Sequence, residues 1–157
     1  MFVKMSLRPI LCCLVMTGFV VGLPADTTQL VGDWVSVTVA PMKTSIYVGS
    51  VTLRTGIFQR EGDKFSTTYE AKVWPWFFWS ETGRITMTLP FADLAKLAKG
   101  ERVEFTGEAI NYHNKPRKVT GRADRIDGAT GKIKVRISVD DTELIFNGGY
   151  RFNNALK

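Results

Sequence analysis

Alternation by two is the feature that most constrains what this chain can fold into, because successive side chains then point to opposite faces of a sheet. Val35, Val37 and Val39 alternate with Trp34, Ser36 and Thr38, and Val51, Leu53 and Ile57 share a parity with Thr52 and Arg54 opposite. The same parity runs through Phe65, Thr67, Tyr69, Ala71 and Val73, then Ile85, Met87 and Leu89. It is cleanest in Ile133, Val135, Ile137 and Val139, set against Lys132, Lys134, Arg136 and Ser138. Each run predicts a half-buried strand with one wet face. Glu61-Gly62-Asp63, Glu81-Thr82-Gly83, Asn114-Lys115-Pro116 and Asp127–Gly131 supply turn chemistry between the runs. Strand signals recurring at this spacing predict an all-β fold of seven to nine strands, an antiparallel barrel or a β-sandwich.

One segment departs from the alternation. After Pro90, Phe91, Leu94 and Leu97 fall on one helical face, Asp93 lies in the first turn, Lys99 in the last, and Gly100 follows. These signals predict one short amphipathic helix over 91–99 that packs on the sheet or plugs the end of a barrel.

The first 25 residues differ in kind from the rest. Lys4 and Arg8 precede an apolar run from Ile10 to Val21, with no acid in the segment. That layout predicts a signal peptide over 1–25, cleaved near Ala25, because the run is shorter than the roughly 20 apolar residues that span a bilayer. The expected product is a secreted or periplasmic antiparallel β domain, residues 26–157. Both cysteines, Cys12 and Cys13, lie in the leader, so the mature chain would carry no disulfide, thiolate site or cysteine nucleophile. Its 132 residues suffice for one core without such staples, and loss of Lys4 and Arg8 lowers the net charge from +6 to +4.

Two local concentrations carry the functional expectations. The run Trp74-Pro75-Trp76-Phe77-Phe78-Trp79 has five aromatics in six residues, and its proline cannot donate to a sheet ladder. It reads either as core between two packed layers or as an aromatic pocket mouth or membrane-interface contact. Its indole N–H groups favour a polar rim. Trp74, Trp76, Phe78 and Trp79, together with Trp34, are the expected ligand-binding residues. The second concentration, from Lys115 to Arg136, holds eight basic residues against two acidic ones. Arg117, Lys118, Arg122, Lys134 and Arg136 are the candidate contacts to an anionic group, on a cationic sheet face or a merely solvated one. Export makes nucleic acid an improbable partner, although basic sheets with aromatics can hold single strands.

Catalytic constellations are scarce. His113 stands beside a turn as the single histidine, and no G-x-S-x-G is present. Asp140, Asp141 and Glu143 cluster, but a strand-end turn accounts for them. No catalytic residue, metal or cofactor is therefore expected.

Two fragments resemble exported lipocalin-like barrels. Gly32-Asp33-Trp34 looks like the G-x-W that opens the first lipocalin strand, where the tryptophan closes the barrel floor against a late basic residue, here Arg151. Gly107–Asn111, followed by Lys115-Pro116 and Val119, is similar to the strand, K-P turn and strand of the YceI-like family. The resemblance implies a barrel rather than a sandwich, and a lipid-like small molecule rather than a reaction. The expectation is thus an exported, non-enzymatic binding protein for a hydrophobic ligand. The alternative is an envelope interaction module that docks a protein, a membrane or an anionic surface.

Overall fold

The computed structural model describes Val31, Gly32 and residues 34–154. The expected leader, with Cys12, Cys13 and the cleavage position, lies outside them. The ten strands are β1 (Trp34–Val39), β2 (Met42–Ile46), β3 (Gly49–Thr55), β4 (Phe58–Glu61), β5 (Lys64–Trp74), β6 (Glu81–Thr88), β7 (Val103–Asn111), β8 (Pro116–Asp127), β9 (Thr130–Val139) and β10 (Thr142–Asn154). A single helix, α1 (Phe91–Ala98), separates β6 from β7.

All pairings are antiparallel, and the ring β1–β4–β5–β6–β7–β8–β9–β10 closes on itself through β10 and β1. The fold is therefore an eight-stranded closed barrel, and the sandwich alternative is excluded. The β2–β3 hairpin extends the wall, β3 pairing with the second half of β5 beyond the break at Gly56. Closure satisfies every edge of the ring, which removes the exposed ladder that an open sheet of this length would present.

The parity read in the sequence is the parity of the wall. Val37, Val39, Val51, Leu53, Phe65, Tyr69, Ile85, Met87, Ile133, Val135 and Ile137 all point inward and are buried. Two positions break it. A register shift between Trp34 and Ser36 turns Trp34 inward and leaves Val35 outside, and the interruption of the strand at Gly56 leaves Ile57 exposed. The Glu81-Thr82-Gly83 turn is a further correction: these residues begin β6, and the reversal lies upstream, where Pro75 ends the ladder of β5.

Helix α1 ends as its sequence demands. Gly100 adopts φ +89°, its N–H donates to Leu97 O and that of Glu101 to Lys96 O, the paired bonds of a Schellman cap. Leu94, Leu97 and Ala98 are buried, whereas Phe91 is turned outward, where it meets the Arg60 guanidinium at 5.7 Å. Leu97 borders the same interior space as Val37, Phe65, Phe105 and Phe152, so the helix plugs one end of the barrel.

Trp34 belongs to that plugged end. It stacks on Phe152 with ring centroids 4.2 Å apart and planes within 3°, and Phe65 and Tyr150 meet Phe152 edge-on. The basic side chain serving this floor is Arg60, whose Nη1 donates to Val31 O and Trp34 O at 3.0 and 3.3 Å. Arg151 is exposed on the outer face of β10 and does not take that part.

The interior is filled. The apolar space that remains among Val37, Phe65, Met87, Phe105 and Ile133 is about 30 Å³, roughly one water molecule. Gly121 is required by this density: a Cβ there would stand 2.6 Å from Lys134 O and against the Phe105 ring.

Candidate functional site

The end of the barrel opposite α1 carries the aromatic run. Trp79 and Ser80 N–H groups donate to Trp76 O and Phe77 O at 3.0 Å, forming a 3-10 turn over Phe77–Trp79. Val73 N–H donates to Ser80 Oγ at 3.0 Å and closes the base of the loop. The backbone is thus satisfied from within the loop, and the side chains are free to face outward. Trp74, Trp76, Phe77, Phe78 and Trp79 are 71, 40, 76, 62 and 57% exposed. Such exposure decides between the two readings of the run: it is surface, not core.

Trp76, Phe78 and Trp79 form a mutual cluster at centroid distances of 5.4–5.9 Å. Phe77 meets the edge of that cluster, 6.1 Å from Phe78, and with Trp74 also borders the wall. With Val73 and Tyr112 they line a groove of about 540 Å³, which has Lys72 and Glu81 on its polar side. Tyr112 is brought there by the β7–β8 hairpin, whose turn is set by Asn111 Oδ1 accepting from His113 and Lys115 N–H at 3.0 and 2.9 Å. The Tyr112 N–H also donates to Thr82 O at 2.9 Å, which fixes the hairpin against β6. Trp34, grouped with these residues as an expected ligand-binding side chain, lies at the far end of the barrel, buried under Phe152. Its place follows from the register shift that turns it inward.

Beneath the loop, the barrel mouth is closed by polar side chains, among them Arg117, which the sequence reading places on the outer face, and Tyr69, Glu81 and Asn111, to which it gives no such role. Glu81 Oε1 accepts from Tyr69 Oη at 2.9 Å, and Oε2 accepts from Asn111 Nδ2 at 3.1 Å and faces Arg117 Nη2 at 3.5 Å. Arg117 Nη1 donates to Asp140 Oδ1 at 3.0 Å. Burial alone would lower the Arg117 guanidinium, but the hydrogen bond to Asp140 and the Glu81 charge outweigh it and hold its pKa above the ordinary value. Burial, then the hydrogen bond and charge of Glu81, raise the Tyr69 phenol. Arg117 is consequently not a contact for an external anion: it is 8% exposed, and its charge is met inside the wall. The parity of β8 contains the signal, since 117 shares the inward face with Val119 and Ala123.

The other basic candidates do lie outside. Lys118 and Arg122 alternate with inward residues on β8, as do Lys134 and Arg136 on β9. Register places Arg122 directly opposite Lys134, and Thr120 opposite Arg136. Arg122, Lys134 and Arg136 border a second groove of about 530 Å³ on the outer wall near α1, to which Lys118 does not contribute. The acidic cluster is dispersed: Asp140 meets Arg117, and Glu143 meets Arg136 at 3.7 Å.

Comparison with protein-family models, curated proteins and solved structures gives no match. No helix among the described residues is long and apolar enough to cross a membrane.

Proposed function

We propose that this chain is an exported, non-enzymatic binding protein that takes a lipid-like ligand on the outside of its barrel, at the aromatic end. The observation that carries the reading is the exposure of five large aromatic side chains within the six residues 74–79, two of which line a groove of about 540 Å³ with Tyr112. Small-ligand sites run from about 300 to 1,000 Å³ and combine apolar walls with a few polar groups. The interior space of about 30 Å³ is an order of magnitude too small, and the Tyr69–Glu81–Arg117 cluster blocks access to it from that end. The reading therefore departs from the interior binding that the resemblance to YceI-like barrels implies, while retaining the apolar ligand class.

Dibromostearate tests it, because its bromines quench only those indoles that its chain touches. Saturable quenching is expected, unchanged in Trp34→Phe and lost in Trp74→Ser combined with Phe77→Ser. Absence of saturable quenching would overturn the reading.

The Trp76, Phe78 and Trp79 cluster stands outside the groove and favours a second reading, docking on a partner protein or on a membrane of the envelope. Vesicle co-sedimentation and analytical ultracentrifugation distinguish it: binding or self-association lost on Trp76→Ser with Trp79→Ser, but retained in the groove variant, would support docking.

A further inference from the structure

Four outer-face residues share one cross-strand row on successive strands: Thr88 of β6, Thr106 of β7, Thr120 of β8 and Arg136 of β9. The adjacent row on the α1 side runs Glu104, Arg122, Lys134 on β7, β8 and β9. The two rows together border the groove of about 530 Å³. Placing Arg122 directly opposite Lys134 sets like charges side by side, an arrangement that costs a sheet stability. Among the described residues, no carboxylate lies within 4.0 Å of either group, whereas Arg136 has Glu143 at 3.7 Å and Asp93, on the groove rim, is already bonded to Lys96. Glu104 is thus the one acidic side chain of the groove without an ion-pair partner among the described residues. The lining combines two cations without a carboxylate within 4.0 Å, Arg122 standing between Glu104 and Lys134 in its row, with a row of threonine hydroxyls beside them.

We propose that this groove binds a small soluble polyol bearing a phosphate or sulfate group. Arg122 and Lys134 would take the oxyanion through charge-assisted hydrogen bonds, and the threonine hydroxyls and Glu104 would take the hydroxyls of the polyol. A bound oxyanion removes the Arg122–Lys134 repulsion, which gives the unfavourable register a use. The site is separate from the aromatic end. Thr82, beside Tyr112, and Thr88, in the groove, are six residues apart on β6, about 20 Å at roughly 3.3 Å per residue. A membrane touched by Trp76 and Phe78 is therefore too distant to present a head group to Arg122, so this proposal stands or falls independently of the aromatic-end reading.

Glucose 6-phosphate, inorganic phosphate and glucose are the probes, followed by isothermal calorimetry and by backbone amide NMR. Glucose 6-phosphate should bind saturably at one site, inorganic phosphate more weakly and glucose not measurably, with shifts confined to the facing stretches of β7, β8 and β9. Arg122→Gln and Lys134→Gln should each weaken glucose 6-phosphate at least tenfold, while Lys118→Gln leaves it unchanged. Without ligand, Lys134→Gln should melt at or above the temperature of the parent protein, which also shows that it folds. Equal weakening by Lys118→Gln, shifts scattered over the surface, or a loss of stability in Lys134→Gln would overturn the proposal. So would competition by phosphatidylglycerol vesicles, which would transfer the site to a lipid head group.

Discussion

Replacing Arg117 by methionine separates the two places this cation could occupy. On the outer face its loss would cost almost nothing; inside the mouth it removes the partner of a carboxylate whose side chain is 18% exposed. Breaking a buried pair costs about 3–5 kcal/mol. Here Glu81 keeps the Tyr69 hydroxyl and the Asn111 amide, and the Asp140 arm is 76% exposed and adds little. A loss of about 2–4 kcal/mol is therefore expected for Arg117→Met. Adding Glu81→Gln removes the stranded charge, so the double variant should recover part of that loss, with a coupling energy of about 1–3 kcal/mol. Urea unfolding of the four proteins at pH 7, by near-ultraviolet circular dichroism, supplies the cycle. Additive single effects, or an Arg117→Met protein as stable as its parent, would refute the internal placement. The same variant should leave glucose 6-phosphate affinity unchanged, which Arg122→Gln should not.

Three further outcomes follow from the packing. Trp34→Ala removes the ring stacked on Phe152 and should cost about 3–5 kcal/mol in thermal or urea unfolding without altering ligand quenching; Trp76→Ser should stay within about 0.5 kcal/mol of the parent. Gly121→Ala forces a methyl group against Phe105 and Lys134 O and should destabilise by about 1–3 kcal/mol, a lowered midpoint in the same assay. Burial pushes the Tyr150 phenol up to about 12, and burial with the Glu81 contact raises Tyr69 as well. Both native values exceed the unfolded value of about 10, so their contribution is complete below that pH and is lost as pH rises toward 12. Absorbance titration at 295 nm should show two late-ionising phenols in the native protein and none in concentrated urea; a single common step in the native protein would contradict their burial.

Much of the wall was legible because the period of a strand is two and a barrel needs one apolar face throughout. The runs over 65–73 and 133–139 read as strands with the correct inward side, and the helix was placed to within a residue by Asp93 and Gly100. Local patterns do not encode long-range closure: the pairing of β1 with β10 joins residues more than a hundred positions apart. The register shift at Trp34 and the position of the reversal near Pro75 depend on which strand each segment meets, so sequence alone groups Trp34 with the aromatic run and puts Glu81 in a turn. Arg117 was grouped with its basic neighbours by composition, although its parity with Val119 puts it inside. The aromatic run is visible as a concentration, but only the exposure of its side chains in the assembled barrel assigns it to the surface rather than the core.

The account rests on the ligand lying outside the barrel, and intermolecular nuclear Overhauser effects locate it directly. With uniformly labelled protein and unlabelled stearate, contacts from the chain methylenes to Trp74, Phe77 and Tyr112 ring protons are predicted. Contacts to the interior methyls of Val119 and Val135 would contradict it.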